Sequence, residues 1–247
     1  MTVPRLVIPG RHAVLEALAG RWPLETVLLA AEAGEQLRGP LAEVVALAAD
    51  RGVPVQRVPR GRLDQLAGGA VHQGVVALAP PRRPVSLAAL AAGPAALVVV
   101  LDGVQDPRNL GAILRTAAAA GASGAVVGRH AGSPLTGTAH KAAAGAALRL
   151  PVVEAANLAA ALDHLRSAGL RVVGADVAGA TAYYESSLAG PLALVLGGEA
   201  RGLRPSTRAH CDELVRIPMP GPVQSLNVSV ASGVLLFEAL RQRVGGH

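Results

Sequence analysis

The chain has 247 residues, enough for one large domain or two modest ones with a well-formed core. Hydrophobic residues make up 51% of it, but Gly, Pro or charged residues interrupt each apolar run well short of a membrane span, which excludes a protein built on membrane-spanning helices. Cys211 is the only cysteine, so an intramolecular disulfide and a zinc site made of cysteines are excluded. No charged and apolar leader precedes a small-residue cleavage site, and we therefore expect a cytoplasmic protein.

The formal net charge is +6, and 22 of the 23 basic residues are arginine, with Lys141 the exception. The planar guanidinium group binds phosphate and stacks on bases, which favours a nucleic-acid partner. An Arg- and Ala-rich chain can equally reflect the base composition of a genome, and both explanations stay open. The chain has only four Phe, Trp and Tyr residues, so an RNA partner would be recognised through its backbone and shape rather than through rows of stacked rings.

The first third of the chain has the pattern of a small α/β domain. Residues 5 to 79 alternate short apolar runs with helical patterns, and Arg57, Arg60 and Arg62 cluster around one loop. Residues 80 to 95 are rich in proline and lack a long-range pattern, which predicts a linker. We therefore predict an N-terminal domain over residues 1 to 79.

The rest of the chain, residues 96 to 247, is predicted to form a second α/β domain. The segment ALVVVLDGV is a nearly continuous apolar run that ends around Asp102, which is typical of a strand buried on both faces. A helix is predicted over residues 110 to 120, after Pro107. Strands and helices alternate from there onward, which indicates a mainly parallel sheet covered on both faces.

A long stretch of this domain is free of acidic residues. Between Asp106 and Glu154 no acid occurs, while the same 47 residues hold five cations: Arg108, Arg115, Arg129, Lys141 and Arg149. Such a stretch should project a positive surface, which suits a phosphate backbone better than a neutral metabolite.

The segment from Ile217 to Leu240 begins as a loop and ends as a helix. Three prolines and a glycine prevent regular structure after Ile217, and an apolar pattern at largely helical spacing follows from Leu226. Ser225, Asn227 and Ser229 lie at the joint, where polar side chains and unpaired N–H groups can form a cup for a polar ligand. Taken alone, the segment is better interpreted as a loop, a capping serine and a core helix with no ligand.

Three motifs occur in a characteristic order: LDGVQDPRNLGAILRTAAAAG from Leu101, LVLGGEARGL from Leu194, and IPMPGPVQSLNVSVASGVLLFEAL from Ile217. Together they resemble the signatures of the SpoU/TrmH branch of the SPOUT RNA 2′-O-ribose methyltransferases. HCDEL followed by IPM and SLNVSVA is similar to members that methylate a guanosine of 23S rRNA. PGRHAVLEAL and HQGVVA resemble the N-terminal RNA-binding domain of such enzymes, whose fold is similar to ribosomal proteins that bind kinked RNA.

The resemblance implies an α/β fold with a trefoil-knotted C-terminal SPOUT domain, a methyl donor (S-adenosylmethionine), an RNA substrate and a homodimer. Two alternatives remain: a tRNA ribose methyltransferase of the same build, and a non-catalytic RNA-binding protein that assists ribosome assembly. Methylation assays on tRNA and on rRNA fragments distinguish all three.

Carried over motif by motif, the resemblance also implies the residues of the site. The catalytic set is Arg115, Asn109, Glu199, Asn227 and Ser225. The cofactor-binding set is Gly197, Gly198, Ile217, Met219 and Leu226. The RNA-binding set comes partly from the charge pattern, that is, from the arginine cluster and the acid-free stretch, and consists of Arg11, Arg60, Arg108, Arg129 and Lys141. No metal is expected, since the seven histidines show no ligand spacing.

Purely structural roles are the alternatives for these residues. The glycine pair can be a turn, Glu199 an exposed loop carboxylate, Ser225 a helix cap and Asn227 a buried helix residue. We expect glycines at 197 and 198 to let a flat ring approach the backbone, and Glu199 to orient Arg115 or Asn109.

The role of Arg115 has two versions. In the family the matching arginine is proposed to deprotonate the 2′-hydroxyl, but guanidinium is a very poor base at neutral pH. The alternative is that it grips the adjacent phosphate and stabilises the developing alkoxide. Either version predicts loss of turnover on substitution.

The chain departs from the family's pattern at three positions. Gly198 stands where serine is common and Ala200 where glycine is common, and both exchange one small residue for another, so activity should be retained. Leu148 stands near a position that is often acidic, which leaves the choice of RNA open.

Overall fold

The computed structural model describes residues 5–34, 37–80, 85–128, 150–199 and 201–245. The described residues divide into two compact units, 5–80 and 85–245. Arg129 and Lys141 of the predicted RNA-binding set lie outside the described residues, as do Leu148 and Ala200, two of the three departures from the family's pattern.

The first unit is a four-stranded mixed sheet with helices. In chain order its elements are β1 (Leu6–Pro9), α1 (Arg11–Ala19), β2 (Thr26–Ala30), a 3-10 turn (Ala31–Ala33), α2 (Pro40–Asp50), β3 (Val55–Val58), α3 (Arg60–Ala67) and β4 (Val75–Ala79). The strand order is β1-β4-β2-β3, with β2 and β3 parallel and the other pairs antiparallel. The predicted small α/β domain is confirmed.

Apolar spacing along α1 explains the larger core of this unit. Ala13, Val14, Ala17 and Leu18 recur at helical spacing and are buried. They pack against buried residues of α2 and the sheet. The sheet therefore has one face under α1 and α2, and a smaller cluster around Leu63 of α3 covers other strand residues.

The second unit is built on a seven-stranded sheet. Its elements are α4 (Leu87–Leu90), β5 (Leu97–Asp102), α5 (Pro107–Ala119), β6 (Gly124–Gly128), β7 (Val152–Ala155), α6 (Leu158–Ser167), β8 (Arg171–Ala175), β9 (Thr181–Ala182), β10 (Leu192–Gly197), α7 (Pro205–Arg208), β11 (Glu213–Arg216) and α8 (Val228–Val244). The strand order is β7-β6-β5-β10-β8-β11-β9, and every pairing of these strands is parallel. The predicted parallel α/β sheet is confirmed.

The central strands β5, β8, β10 and β11 all end at the same edge of the sheet. All six residues of β5 are buried, as the apolar run predicted, and β10 pairs with it so that Gly197 lies opposite Asp102. Because parallel strands point the same way, the loops that follow β5, β8, β10 and β11 leave from this carboxyl edge. Ligand sites of open parallel sheets lie at such an edge.

Part of the predicted linker belongs to the second unit. Ser86 caps α4 by accepting a hydrogen bond from the amide of Ala89 at 3.2 Å. Leu90 is 1% exposed and lies in the same apolar cluster as residues of α6 and the sheet. Gly124 of β6 leaves room for the Leu90 side chain, since a Cβ there would collide with it.

The C-terminal end of α8 is fastened to neighbouring loops by two side chains. Gln242 accepts from the amide of Leu188 at 2.7 Å and donates to the carbonyl of Ser186 at 3.0 Å. Arg243 donates to the carbonyls of Ala95 at 3.0 Å, Ala96 at 3.3 Å and Gly190 at 2.6 Å. No helix in the described part is long and apolar enough to cross a membrane.

We expect Arg243→Ala to lower the free energy of unfolding by about 2 kcal/mol, because it removes a charged donor shared by three carbonyls, of which that of Ala96 is partly buried. Arg241→Ala, on the same helix, is the control. Its side chain is 67% exposed and pairs with Glu238 at 2.8 Å, so its removal should change stability by less than about 1 kcal/mol. Chemical denaturation of both variants measures the difference, and equal losses would contradict the anchoring role of Arg243.

Candidate active site

A cavity of about 770 Å³ in the first unit and one of about 680 Å³ in the second contain residues of the predicted site. The second lies at the carboxyl edge of the parallel sheet, and we call it the carboxyl-edge cavity. Its size is in the range of small-molecule sites. It is lined by residues from the ends of β8, β10 and β11, the loops that follow them and the start of α8: Ala175, Asp176, Val177, Ala178, Leu196, Gly197, Gly198, Glu199, Arg201, Gly202, Leu203, Arg208, Val215, Ile217, Met219, Ser225, Leu226, Asn227, Val228 and Ala231.

Eight residues of the predicted site meet in this cavity. All five of the predicted cofactor-binding set line it, and so do three of the predicted catalytic set: Gly197, Gly198, Ile217, Met219, Leu226, Glu199, Ser225 and Asn227. They come from two segments about 20 residues apart in the chain, which the sheet brings together. The lining combines an apolar wall with charged groups, and Arg208 pairs with Asp176 at 3.2 Å.

The glycine pair also has a packing role. A Cβ on Gly197 would collide with the backbone of Gly202 and Leu203, and one on Gly198 with the carbonyl group of Gly103. The missing side chains therefore make room for neighbouring backbone. The loop after β10 folds back on itself, with the amide of Gly202 donating to the carbonyl of Gly198 at 2.9 Å.

A chain of hydrogen bonds links the carboxyl-edge cavity to the start of α5. Asn227 caps α8, and its Oδ1 accepts from the amide of Ser229 at 2.8 Å and from the Ser229 hydroxyl at 2.6 Å. Its Nδ2 donates to Oδ1 of Asn109 at 3.1 Å. Asn109 in turn donates through Nδ2 to Oε1 of Glu199 at 2.5 Å.

The backbone N–H of Ser229 fixes which atom donates in every hydrogen bond of this chain. A backbone N–H can only donate, so the atom of Asn227 that faces Ser229 must be its oxygen. The Asn227 nitrogen then faces Asn109, which must present oxygen to it and nitrogen to Glu199. The Glu199 carboxylate ends the chain as an acceptor and receives a second bond, from the amide of Gln105 at 3.4 Å.

Glu199 is ionised at neutral pH. Partial burial raises the pKa of its carboxyl group, but the hydrogen bond from Asn109 and those from the backbone amides of Glu199, Gln105 and Asp106 together lower it by more, so the net pKa lies below the ordinary value of 4.5. A carboxylate with a lowered pKa is a poor proton acceptor near neutral pH. Its geometry suits it to orienting Asn109.

We expect Asn109→Ala to raise the pKa of Glu199 toward the ordinary value, because a hydrogen bond to the charged form is lost. A folded-state pKa below the unfolded one stabilises the fold above pH 4.5, and this contribution disappears as the pH falls through the lowered folded pKa. Titration of the Glu199 side-chain carbon by NMR in both proteins measures the shift. An unchanged titration would mean that the Asn109 bond does not hold the carboxylate.

Arg115 lies apart from the carboxyl-edge cavity. It is on α5, six residues after Asn109, with an exposed side chain, and it is not among the described residues that line the cavity. Arg108 lies two turns before it on the same helix face, with its side chain 82% exposed. Opposite them, Leu110, Ile113, Leu114 and other α5 residues are buried. The two arginines therefore form an outward-facing positive stripe.

Sequence reasoning missed two acidic residues near the carboxyl-edge cavity. Asp102 was treated only as the end of a strand, yet its carboxylate is buried and receives two hydrogen bonds from Arg204. Asp176 was not considered. The sequence did contain a signal for Asp102, since a lone acid that ends a fully buried apolar run needs a hydrogen-bond or ion-pair partner.

The cavity of the first unit, the N-terminal cavity, is lined by the two predicted RNA-binding arginines of this unit, Arg11 and Arg60. Arg11 donates through Nε to the carbonyl of Gln73 at 3.0 Å, and Gln73 has the left-handed φ of 52°. Buried His72 shapes the same loop, because its Nδ1 accepts from the amide of Gly74 at 3.1 Å and its Nε2 lies 2.9 Å from Asp64. These bonds hold one arginine at the edge of the cavity.

The described residues contain no group of three or more His, Cys, Asp and Glu side chains arranged to hold a metal ion. The described groups that line the carboxyl-edge cavity include amides, carboxylates, arginines, a serine hydroxyl and backbone groups. Cys211 is not among the described residues that line this cavity. Partial burial, with smaller effects of neighbouring charges, raises the pKa of its thiol to about 11.

Comparison with known proteins identifies the family. Residues 96–237, which include the whole carboxyl-edge cavity, match the model of the SpoU rRNA methylase family. The chain belongs to this family. Residues 7–85 match a second model, described as RNA 2′-O ribose methyltransferase substrate binding. This SpoU-family protein is therefore an RNA methyltransferase with a substrate-binding domain.

Relatives resemble the SpoU-family chain over most of its length. A protein of Mycolicibacterium vanbaalenii, named an uncharacterized tRNA/rRNA methyltransferase, is 43% identical over 96% of this chain and 76% of its own. The SpoU methyltransferase AviRb from Streptomyces viridochromogenes, in complex with the cofactor AdoMet, has a TM-score of 0.78 and 27% identity over 98% of this chain and 92% of its own.

Two further crystal structures differ in how much of the chain they match. An AdoMet-bound rRNA methyltransferase from Sinorhizobium meliloti has a TM-score of 0.75 and 30% identity, and covers 96% of this chain and 87% of its own. A TrmH/SpoU tRNA modifying enzyme from A. aeolicus has a TM-score of 0.56 and 28% identity, and covers 65% of this chain and 82% of its own.

Proposed function

We propose that this SpoU-family enzyme transfers the methyl group of S-adenosylmethionine to the 2′-hydroxyl of a guanosine ribose in 23S rRNA. The observation that carries the proposal is the meeting of the carboxyl-edge cavity with the Asn227–Asn109–Glu199 chain of hydrogen bonds. One side of the arrangement offers a cavity for a small donor, and the other offers oriented amide groups beside it.

The residues present fit S-adenosylmethionine. The cavity has an apolar wall that includes Leu196, Ile217 and Leu226 for an adenine ring, and charged groups on Asp176 and Arg208 for a polar ligand. When bound, this donor supplies an electrophilic methyl group on a positively charged sulfur. Relatives solved with AdoMet support it as the donor. We assign its binding to Gly197, Gly198, Ile217, Met219 and Leu226, all of which line the cavity.

The catalytic residues of the chain position the ribose and assist removal of its proton. Asn109 and Asn227 are held rigidly by their mutual bond and by Glu199, so an amide edge stays fixed at the rim of the cavity. Arg115 acts as a phosphate clamp that stabilises the developing alkoxide, since its guanidinium is a poor base. The proton then leaves to a phosphate oxygen or to water. Ser225 borders the same space and orders the nucleotide or the donor.

The N-terminal domain would hold the RNA. Arg11 and Arg60 border the N-terminal cavity within the part of the chain that matches the substrate-binding model. The arginines of α5 would add backbone contacts near the reaction. The proposal includes an N-terminal RNA-binding domain over residues 1 to 79, a C-terminal methyltransferase domain that starts before α4, a trefoil knot in that domain and a homodimer.

The share of this chain that each relative covers favours an rRNA substrate over a tRNA substrate. The S. meliloti rRNA methyltransferase matches both units of this chain, whereas the A. aeolicus tRNA enzyme covers 65% of it. A non-catalytic role in ribosome assembly is the less favoured alternative, because a simple RNA binder has no need of Asn109, Glu199 and Asn227 joined at a small-molecule cavity.

The test is transfer of a labelled methyl group from S-adenosylmethionine to transcribed 23S rRNA fragments and to tRNA, with the modified nucleotide mapped. We expect label on the ribose of one guanosine in a 23S fragment. Label on tRNA alone would replace the proposed substrate with the alternative. No transfer to either RNA, or to ribosomal subunits, would overturn the enzymatic proposal.

A further inference from the structure

We infer that Asp102 is a positioning residue that holds both ends of the loop from Gly198 to Arg204 and so sets the shape of the carboxyl-edge cavity. The inference rests on the proposed function, because it assigns to this residue an effect on donor binding. Asp102 itself does not line the cavity among the described residues. It acts through the loop.

The carboxylate of Asp102 holds the far end of the loop. Its side chain has 0% exposure, and Oδ2 accepts from the backbone amide of Arg204 at 2.8 Å. Its Oδ1 accepts from Nε of the same arginine at 2.5 Å. A buried carboxylate with two donors from one residue forms a charge-assisted contact of defined geometry, which is stronger than a neutral hydrogen bond.

The backbone of Asp102 holds the near end of the same loop. Its carbonyl accepts from the amide of Gly198 at 2.8 Å, directly after the register pair of Gly197 with Asp102. One residue at the end of β5 therefore binds both residue 198 and residue 204. The described residues between them, 199 and 201 to 203, contain no strand or helix that would give the loop its shape.

The loop needs such a restraint because it is rich in glycine. Gly198 and Gly202 form an isolated bridge across it, and Gly202 has a left-handed φ of 61°. Glycine in a loop has more conformations to lose than any other residue, so the bridge alone holds it weakly. Without the Asp102 contacts the loop would sample other shapes.

The position of this loop matters to both parts of the site. It contributes Gly198, Glu199, Arg201, Gly202 and Leu203 to the cavity wall. It also carries the carboxylate that receives the Asn109 bond. A shift of the loop would therefore widen the cavity and release Asn109 at the same time.

The test compares Asp102→Asn with Asp212→Asn in the full chain. Asp212 is a matched control, because its carboxylate also accepts from one backbone amide, that of Val172 at 2.7 Å, and from one arginine Nε, that of Arg166 at 2.8 Å. These bonds lie at the start of β8, the opposite edge of the sheet from the cavity. The asparagine in either variant keeps the shape of the side chain but presents an amide N–H₂ where a charged acceptor stood.

Two measurements are made on each variant: the dissociation constant of S-adenosylmethionine by calorimetry, and amide hydrogen exchange of Gly198, Gly202 and Arg204 without ligand. We expect Asp102→Asn to weaken donor binding about 10- to 100-fold and to speed exchange in the loop. Asp212→Asn should leave the dissociation constant within about twofold and exchange in the loop unchanged. Its loss of thermal stability should be smaller, because the side chain of Asp212 is 35% exposed and that of Asp102 is buried.

Unchanged loop exchange in Asp102→Asn, or an equal loss of donor affinity in Asp212→Asn, overturns the inference. If the parent protein takes up no S-adenosylmethionine, the proposed function fails, and the exchange experiment alone decides the role of Asp102. If Asp102→Asn does not fold, Arg204→Ala and Arg204→Lys replace it. Faster loop exchange in the alanine variant than in the lysine variant supports the inference, and parent-like exchange in both overturns it.

Discussion

Arg115→Ala is expected to lower kcat for RNA methylation by about 10²- to 10³-fold, which is the usual effect of removing one group that stabilises charge in a transition state. The proposed role of Arg115 is to grip the phosphate beside the reacting ribose and to stabilise the developing alkoxide. The variant should fold normally, because the side chain is exposed on α5. Arg115→Lys should also lose most turnover, since a point charge lacks the planar fork of arginine.

Arg108 provides the comparison for Arg115. It lies on the same face of α5, about 10 Å away along the helix axis, and is also exposed. Arg108→Ala should raise KM for RNA and reduce the slope of affinity against salt concentration by about one, with a much smaller effect on kcat. Single-turnover kinetics at saturating RNA separate the two variants. If Arg115→Ala changes only KM, Arg115 is an RNA contact like Arg108 and not a catalytic residue.

Asn227→Ala is expected to lower kcat by about 100-fold, because it breaks the chain of bonds that orients Asn109 at the rim of the carboxyl-edge cavity. The same substitution removes the cap of α8, which stabilises the fold by about 1 kcal/mol. Loss of activity must therefore be separated from loss of stability.

Asn157 makes that separation possible. It caps α6 by accepting from the amide of Ala160 at 3.3 Å, and it belongs neither to the carboxyl-edge cavity nor to the chain of bonds. Asn157→Ala should lose a similar free energy of unfolding and keep its activity within about twofold. Denaturation and single-turnover assays on both variants give the comparison. Parallel loss of activity in the two would mean that Asn227 contributes stability only.

Local sequence patterns predicted which strands and helices form better than they predicted where each one begins and ends. The apolar run before Asp102 is the fully buried strand β5, and the predicted parallel sheet is present. The helix predicted from residue 110 begins at Pro107, because Asp106 caps it by accepting from the amide of Arg108 at 2.8 Å. Proline in the first turn is pre-shaped for a helix start, and that local signal was read as preceding the helix.

Tertiary contacts changed the interpretation of several residues. Residues 87–90 lie within the predicted linker, yet they form α4, and Leu90 is buried among residues distant in the chain. The glycines at 197 and 198 are small because backbone from residues 202 and 103 passes against them. Neither fact is visible in local patterns, because each depends on which segment lies beside which.

By itself the sequence determined the α/β class, the buried strands and the family, because strand burial follows apolar runs and the three motifs occur in order. Only the tertiary structure decided how these residues contact one another. The chain of bonds from Asn227 to Glu199 joins residues 90 and 118 positions apart, and Asp102 reaches Arg204 across 102 positions. Such contacts depend on the strand order β5-β10-β8-β11, and strand order is a property of packing that no local pattern encodes.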